Sequence, residues 1–385
     1  MDAERLTRVV HERLGRRVAS IGEIEAGMGS RRFLRLEFAE GEPRSLIARC
    51  EPDPARPNTG TSAEAASQTL ATPSASSPAG LILPPAPAWL PEPPLEPLRS
   101  FLEEGGVRVP RSFGHFPELG LDLLEDVGSR NLLHADPALR EPLYREACAL
   151  IAHLQSLSAP PARIAAFGRI YDRALIDTKL WKWIHWAIPA LLRRAATPLE
   201  VRELGALFSS IANLLDEAPR RLAHRDYKAE NLHLLPAPAE ENREADLPEL
   251  VLIDIQGAFL APPEYDLACL LYDLQTDLDE GLALRLFEEV LPSLPDRPDP
   301  KLAQLRFDAI AVARLCKDVS HVIHAGLARD DRRRWHEIPR GLELLGRAAA
   351  RLDGRFPGVA TLNSVILALT MALGPADIAS EGSLS

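Results

Sequence analysis

Apolar and polar residues alternate near the start of the chain and recur at helical spacing over most of the remainder. Residues 32–38 alternate as a half-buried strand does, and residues 45–50 form a second apolar run after a turn, so we expect a small antiparallel sheet. The segment 20–26 is short and mixes apolar with polar residues, so it favours neither a helix nor a strand. Four apolar positions ahead of this sheet predict an amphipathic helix at the start of the chain: Leu6, Val9, Val10 and Leu14.

Helical periodicity dominates the chain after a further strand at residues 120–126. A helix begins near Leu95 and stops at Gly105, and a hairpin with arms at residues 232–235 and 250–253 interrupts the later helical pattern. The remaining helices are expected at residues 138–157, about 170–195, 199–218, 266–275, 280–291, 301–327 and 337–353.

Residues 51–94 differ in composition from the rest of the chain. Pro, Ala, Ser and Thr dominate there, and such a segment buries too little apolar surface to offset its ordering entropy, so we expect a flexible insertion. A plain linker is favoured over an SH3-type ligand. The pattern therefore predicts an α+β fold with a small mixed N-lobe over 1–126, a helical C-lobe over 127–375 and a flexible tail over 376–385.

The hydrophobic content of 46% indicates a globular protein, and the net charge of −11 argues against a nucleic-acid partner, which needs a basic face. Cys50, Cys148, Cys269 and Cys316 are scattered among apolar residues and are expected as small buried side chains. The start lacks the apolar region of a signal peptide, and no apolar run is long enough to span a membrane. We therefore expect a cytoplasmic protein with a small-molecule substrate; the oligomeric state is left open.

The most informative motif is the run His224-Arg225-Asp226-Tyr227-Lys228-Ala229-Glu230-Asn231, followed by Asp254 at the end of an apolar strand. Phosphoryl transfer needs a carboxylate that orients the attacking hydroxyl group and oxygen ligands for Mg²⁺. Asp226 suits the first role, and Asn231 and Asp254 suit the second. Lys228 could neutralise charge that develops on the γ-phosphate of ATP. The alternative is that this motif is a His-Arg-Asp run on the surface, in which Asn231 caps a helix. The placement of Asp254 makes this alternative the weaker one.

Two further residues near this motif favour structural roles. His224 is expected to hold the loop and not to transfer protons. Asp266 could cap the helix that it opens or support the catalytic loop from below.

A turn and a strand residue in the N-lobe are candidates for binding the nucleotide. Backbone N–H groups of Gly27, Gly29 and Ser30 could cover phosphates, although a hairpin turn explains this sequence equally well. Arg49 stands where a kinase would place the Lys that contacts the α- and β-phosphates, with Glu96 as its expected helix partner. An exposed arginine on an edge strand is the alternative.

The residues that would bind the phosphoryl acceptor are predicted from an aromatic helix and from the residues near it. Trp181, Trp183 and Trp186 could form a wall that stacks on a sugar ring, but we expect core packing for at least two of them. Asp177 could bond an acceptor hydroxyl group or be a solvated helix residue. Gln256 completes the predicted acceptor contacts.

These motifs resemble the aminoglycoside phosphotransferase/choline kinase family, and more narrowly the anomeric kinases of N-acetylmuramate and N-acetylglucosamine that serve cell-wall recycling. The most specific matches are residues 224–227 and 253–256, with residues 29–35, 107–110 and 123–128 in support. The similarity continues through residues 265–268, 328–330 and 338–340. The chain departs from the sugar kinases at Gly257, where they usually carry Asp, and at Lys228, where they often carry His.

The resemblance implies a bilobal protein-kinase-like fold that binds ATP and Mg²⁺. It makes Asp226 the catalytic base and Asn231 and Asp254 the metal ligands. It also makes residues 123–126, with Leu123 and Glu125, the connector whose backbone receives adenine. A protein kinase is disfavoured because only residues 255–265 separate Asp254 from Asp266, which leaves no room for an activation segment. A pseudokinase scaffold is the non-enzymatic alternative, motivated by Arg49.

Overall fold

The computed structural model describes residues 1–24, 31–51, 93–159, 164–236, 247–328 and 330–374. The predicted insertion, apart from its two ends, and the predicted tail lie outside these residues, and so do Gly27, Gly29 and Ser30.

A five-stranded antiparallel sheet forms the N-terminal part, in the order β1-β2-β3-β5-β4. Its strands are β1 Val18–Ile24, β2 Arg32–Phe38, β3 Ser45–Cys50, β4 Ser112–Phe116 and β5 Leu121–Glu125. The predictions of β2, β3 and β5 are confirmed. The edge strands β1 and β4 were not predicted, because neither alternates strictly between buried and exposed residues.

Helix α1, Ala3–Leu14, covers one face of this sheet and creates a small core. Asp2 caps its start by accepting a hydrogen bond from Arg5 N at 2.8 Å, and Gly15 ends it in the left-handed conformation at φ 66°. The apolar stripe of α1 contributes Leu6 and Val10, which are fully buried against the sheet.

The larger part is mainly helical and carries its own core. Its helices are α2 Leu95–Glu104, α3 Pro137–Ser156, α4 Arg173–Lys182, α5 Ile188–Leu192, α6 Pro198–Asp216, α7 Tyr265–Leu271, α8 Glu280–Val290, α9 Pro300–Ala328, α10 Ile338–Leu352 and α11 Val359–Ala372. The predicted helices are confirmed in place, and α11 was not predicted. Helix α2 packs into this larger core through Leu98 and Leu102, although the sequence pattern grouped it with the N-lobe.

Helices α4 and α5 are joined through a π-helical turn, Trp183–Ala187, so that they run as one element. Ile188 N donates to Trp183 O across this turn. Pro189 follows directly, and a proline cannot donate a backbone bond and crowds the preceding turn, which accounts for the widened helix.

Two short ladders carry the loops of the site. Strands β6 Arg221–Ala223 and β9 Phe259–Ala261 pair antiparallel, and β7 Leu232–Leu235 pairs antiparallel with β8 Glu249–Leu252. The second ladder confirms the predicted hairpin. The loop at 224–231 connects β6 to β7, and the loop at 253–258 connects β8 to β9. Because β6 pairs with β9 and β7 pairs with β8, these two loops lie side by side.

All four cysteines are buried and free, as predicted. Within the described part of the chain, no helix combines the length and the apolar character that a membrane crossing requires.

Candidate active site

The loop after β6 is anchored by backbone and side-chain bonds on several sides. Asp266, near the start of α7, accepts hydrogen bonds from His224 N at 2.7 Å and from Arg225 N at 3.2 Å. Tyr227 donates its hydroxyl proton to Ala147 O at 2.9 Å. The supporting role of Asp266 is therefore confirmed. Its capping role is wrong, because α7 begins one residue earlier with Glu264 at the cap position.

His224 joins the two loops and holds them in register. Its Nε2 lies 2.8 Å from Ile253 O, and only a protonated nitrogen can bond a carbonyl oxygen, so Nε2 is the donor. Burial lowers the pKa of His224, which leaves the ring neutral. The predicted holding role is confirmed, and the ring is not placed to exchange protons with a substrate.

Two loop residues adopt positive φ angles that favour glycine. Arg225 has φ 84° and Asp254 has φ 60°. Such backbone persists in residues other than glycine only where the surroundings enforce it, and it concentrates at functional sites. The hydrogen bond that Arg225 N donates to Asp266 and the one that His224 donates to Ile253 O help to restrain these two positions.

Asp226 is an ionised carboxylate at the centre of the site. Burial acts to raise its pKa, but Lys317, Arg225, Lys228 and Arg314 together hold that pKa well below its usual range. The side chain keeps 31% of its exposure, so a substrate can reach it. The carboxylate can orient a hydroxyl group by accepting its hydrogen bond.

Asn231 lies beside Asp226, and the loop that bears Asp254 is tied to Asn231. Asn231 Nδ2 donates to Asp226 O at 2.8 Å; because a carbonyl oxygen can only accept a hydrogen bond, the amide must present its NH₂ group there, which leaves Oδ1 for other contacts. Asn231 O accepts from Ile253 N at 3.1 Å, which ties the two loops together next to Asp254. Carboxylate and amide oxygens suit Mg²⁺, so the donor set fits the predicted metal.

Lys228 is engaged by neighbouring residues. Its ammonium group pairs with Glu230, and Gln275 Nε2 donates to the same carboxylate at 2.8 Å. Glu230, Asp226 and Asp273 outweigh the effect of burial and raise the pKa of Lys228. The group is a permanent cation near Asp226, as its predicted role requires.

Arg49 is buried in the sheet and not exposed on an edge strand. Its guanidinium lies 2.6 Å from Asp122 Oδ2 and 2.7 Å from Glu51 Oε1. The expected partnership with Glu96 is wrong, because Glu96 pairs with Arg99 at 2.7 Å one turn along its own helix.

The predicted connector residues belong to strand β5. Leu123 is fully buried in the small core, between β3 and β4. Glu125 ends the strand, and its carboxylate binds Arg108 at 2.7 Å and Arg111 N at 3.0 Å. The segment that leaves the sheet therefore begins after Glu125.

The acceptor-side residues lie on α4, on its π-helical extension and on the loop after β8. Trp183 is fully buried, whereas Trp181 and Trp186 keep part of their surface exposed, so core packing of at least two tryptophans is wrong. Asp177 is half-buried on α4, and burial raises its pKa. Gln256 is buried and donates to Asp254 Oδ1 at 2.6 Å, which makes it a support of the predicted metal ligand.

Three charged residues of α9 complete the site and were missed from the sequence. Asp318 Oδ1 lies 2.7 Å from Lys317 Nζ, and Asp318 Oδ2 lies 2.9 Å from Arg314 Nη2. Arg314 Nη1 also donates to Arg225 O at 3.3 Å. A sequence signal existed, since these charges follow the apolar run at residues 309–313 and are three and four residues apart, on one face of the helix.

Comparisons with known proteins identify the family of the chain. A family model described as APH, phosphotransferase enzyme family, matches residues 93–302. No curated protein matches the chain.

Solved kinase structures share the fold at low sequence identity. Aminoglycoside phosphotransferase APH(2'')-Ib with ADP bound is 13% identical, with a TM-score of 0.52 over 90% of this chain and 97% of that chain. Choline kinase LicA from Streptococcus pneumoniae is 13% identical, with a TM-score of 0.52 over 93% and 98%. Choline kinase from Cryptosporidium parvum Iowa II is 11% identical, with a TM-score of 0.52 over 95% and 100%. The predicted α+β, kinase-like fold is confirmed.

Proposed function

Because the chain belongs to the phosphotransferase enzyme family, we propose that it transfers the γ-phosphoryl group of Mg-ATP to a hydroxyl group of an amino sugar. The acceptor is of the N-acetylmuramate or N-acetylglucosamine type and reacts at its anomeric hydroxyl. The observation that carries the transfer step is the ionised carboxylate of Asp226, held next to Asn231 and the loop that bears Asp254.

Asp226 orients the acceptor hydroxyl group and takes up its proton late in the reaction. A carboxylate with a low pKa is a weak base, so its contribution is alignment of the hydroxyl oxygen with the γ-phosphorus. The bonds from Asp266 and Tyr227 restrain the loop on both sides of Asp226, which keeps this alignment without help from the substrate.

Asn231 Oδ1 and Asp254 are the residues that would hold Mg²⁺. Bound there, the ion would neutralise negative charge that develops on the phosphate groups during transfer. Gln256 positions the Asp254 carboxylate through its 2.6 Å bond.

Lys228 and Arg49 are proposed contacts to the nucleotide phosphates. Lys228 acts from the catalytic loop, where its pairing with Glu230 limits how far its ammonium group can move. Arg49 acts from the sheet, where its hydrogen bond to Asp122 and its ion pair with Glu51 hold the guanidinium in one orientation. Gly27, Gly29 and Ser30 are proposed to cover the phosphates, and adenine is proposed to bind at the end of β5, which carries Leu123 and Glu125, where the chain leaves the sheet.

The amino-sugar acceptor is supported by the aromatic surface of α4 and by the resemblance of the motifs to the anomeric sugar kinases. Trp181 presents a partly exposed ring on which a sugar could stack, and Asp177 on the same helix could bond a hydroxyl group. Gly257 departs from the Asp of those kinases. A Cβ atom there would lie 3.3 Å from Arg225 Cδ, so the Arg225 side chain occupies the adjoining space.

The test is ADP release from Mg-ATP with a panel of acceptors: amino sugars, aminoglycosides, choline and a generic protein. We expect turnover on an amino sugar and a loss of about 10²- to 10⁴-fold in kcat for Asp226→Asn, the range attributed to a positioned acid or base. Asp353→Asn, which changes an exposed carboxylate at the end of α10, serves as the matched control and should retain activity. ATP binding without product on any acceptor would instead indicate a nucleotide-binding scaffold.

A further inference from the structure

The peptide bond that joins Arg225 to Asp226 is held from outside the catalytic loop. Arg225 has φ 84°, and its carbonyl oxygen accepts hydrogen bonds from Arg314 Nη1 at 3.3 Å and from Cys269 Sγ at 3.4 Å. Both donor side chains are buried. A buried carbonyl oxygen needs a partner, and backbone with a positive φ persists in residues other than glycine only where the surroundings enforce it. These two side chains therefore help to fix the peptide bond that carries Asp226.

Arg314 reaches this carbonyl group from α9 and is itself held by further bonds. Its side chain is 2% exposed. Nη2 lies 2.9 Å from Asp318 Oδ2, one turn along the same helix, and Nη1 lies 2.7 Å from Cys269 Sγ. Asp318 also pairs with Lys317 at 2.7 Å. Because a guanidinium group is planar and rigid, bonds at both terminal nitrogens fix its orientation and keep Nη1 at the Arg225 carbonyl oxygen.

Asp266 holds the other side of the same residue. Its carboxylate accepts a hydrogen bond from Arg225 N at 3.2 Å and one from His224 N at 2.7 Å. The N–H group of Arg225 is thus bonded by α7, and its carbonyl group is bonded by α7 through Cys269 and by α9 through Arg314. Rotation of either peptide group would move the Asp226 side chain, so its orientation depends on two helices that are distant from the loop in the chain.

The positive charge of Arg314 could also act on Asp226 through space, and the neighbouring cations separate the two effects. Lys317, Arg225 and Lys228 also hold the pKa of Asp226 well below its usual range, and the first two have a larger effect than Arg314. Asp226 would therefore stay ionised at neutral pH without Arg314. A change in activity on removal of Arg314 would then come from the hydrogen bond to the backbone.

We propose that Arg314 is a positioning residue for phosphoryl transfer: its hydrogen bond to the Arg225 carbonyl oxygen holds the backbone that directs the Asp226 carboxylate at the acceptor hydroxyl group. This inference rests on the proposed phosphotransfer to a small molecule. It adds a residue of α9 to the groups that align the reaction. Because Arg314 is buried, it acts through the loop and not on the substrate.

The kinetic test compares wild type with Arg314→Met, with Mg-ATP and either N-acetylmuramate or N-acetylglucosamine. We expect kcat to fall by about 10- to 100-fold, the effect of a small misplacement of a reacting group, and the KM for ATP to change by less than about twofold. The decrease should be the same at about pH 6.5 and about pH 8.5, because Asp226 stays ionised at both. Arg314→Lys keeps the charge without the planar fork and should recover part of kcat.

Arg351→Met is the matched control. Arg351 lies on α10, and its guanidinium bonds Asp308 of α9 at 2.9 Å and Glu280 of α8 at 2.7 Å, both outside the catalytic loop. Loss of these ion pairs should lower the melting temperature and leave kcat unchanged. A thermal melt of each variant therefore separates a general loss of stability from a loss of alignment.

Hydrogen exchange of the peptide that covers residues 221–232, followed by mass spectrometry, gives a measurement that needs no turnover. Exchange should be faster than in wild type for Arg314→Met and unchanged for Arg351→Met, because only the first variant releases the loop. If Arg314→Met does not fold, Arg314→Lys is judged by the same criteria.

The inference is overturned by unchanged exchange in this peptide, by an unchanged kcat, or by equal effects of the Arg314 and Arg351 variants. A decrease in kcat that disappears at the higher pH also overturns it and assigns Arg314 to the ionisation of Asp226. A higher KM for ATP at constant kcat overturns it and assigns Arg314 to the nucleotide. Faster exchange in Arg314→Met, with no turnover of either amino sugar by wild type, would contradict the amino-sugar proposal and support the positioning role.

Discussion

At the scale of single residues, Arg49 illustrates how a candidate ligand contact can also be part of the internal structure. It is 3% exposed and bonded to Asp122, which is 5% exposed. Arg49→Met would leave the Asp122 carboxylate buried with only His115 Nδ1, at 2.6 Å, to compensate it. We expect a loss of about 3 kcal/mol in the free energy of unfolding, measured by denaturant titration.

The double variant Arg49→Met/Asp122→Asn should recover much of this loss, because it removes both charges of the pair. Arg44→Met is the surface control, since its pair with Glu42 is exposed, and it should cost less than about 1 kcal/mol. If Arg49→Met cost no more than Arg44→Met and changed only the KM for ATP, Arg49 would serve the nucleotide alone.

The catalytic residues differ in how far the sequence could identify them. Asp226, Asn231 and His224 lie in one short run, so their spacing alone indicates the chemistry. Arg314 and Lys317 act on Asp226 only because α9 packs beside the catalytic loop, and no local spacing encodes a contact between segments so distant in the chain. The Arg49–Asp122 pair has the same origin, because β3 and β5 become neighbours only in the folded sheet.

At the scale of elements, the start of α7 supports the catalytic loop. Both oxygens of Asp266 accept bonds from loop N–H groups, and an amide side chain offers only one accepting atom. We therefore expect Asp266→Asn to lower kcat by about tenfold or more through misplacement of Asp226, with a smaller change in the KM for ATP. Steady-state kinetics with the preferred acceptor measures this change.

A helix cap elsewhere provides the control for this variant. Asp279 caps α8 by accepting a bond from Leu282 N at 2.9 Å. Asp279→Asn should change stability by at most about 1 kcal/mol and leave kcat unchanged. Equal effects of the two variants on kcat would show that Asp266 has no special connection to the loop.

The elements that the sequence missed share a physical reason. Strands β6 and β9 have three residues each, and the edge strand β1 carries no alternating buried face, so periodicity cannot reveal them. The π-helical turn at Trp183–Ala187 changes the residue spacing between Trp183 and Trp186, so regular helical periodicity does not give the faces that these two rings occupy. Long helices such as α9 and the β7–β8 hairpin were predictable because their patterns extend over enough residues.

At the scale of the whole molecule, the balance of acids and bases sets the dependence of stability on pH. The sequence pI is about 5.5, so the net charge vanishes near that pH and association is favoured there. Comparisons of stability are therefore best made at pH 7 and pH 4, on either side of it. Buried carboxylates with shifted pKa values titrate between these two limits.

Asp273 gives the clearest expectation for how the stability depends on pH. Burial raises its pKa to about 6, against the opposing effects of Lys228 and of the N–H groups of Gln275 and Ala229. A folded-state pKa above the unfolded value of about 3.9 means that the folded protein binds the extra proton, so this stabilisation is present at low pH and is lost as the pH rises through 6. Wild type should therefore gain about 2 kcal/mol relative to Asp273→Asn between pH 7 and pH 4, measured by urea unfolding. Glu288→Gln, which changes an exposed acid on α8, should show almost no such shift, and an equal shift in both variants would contradict a perturbed Asp273.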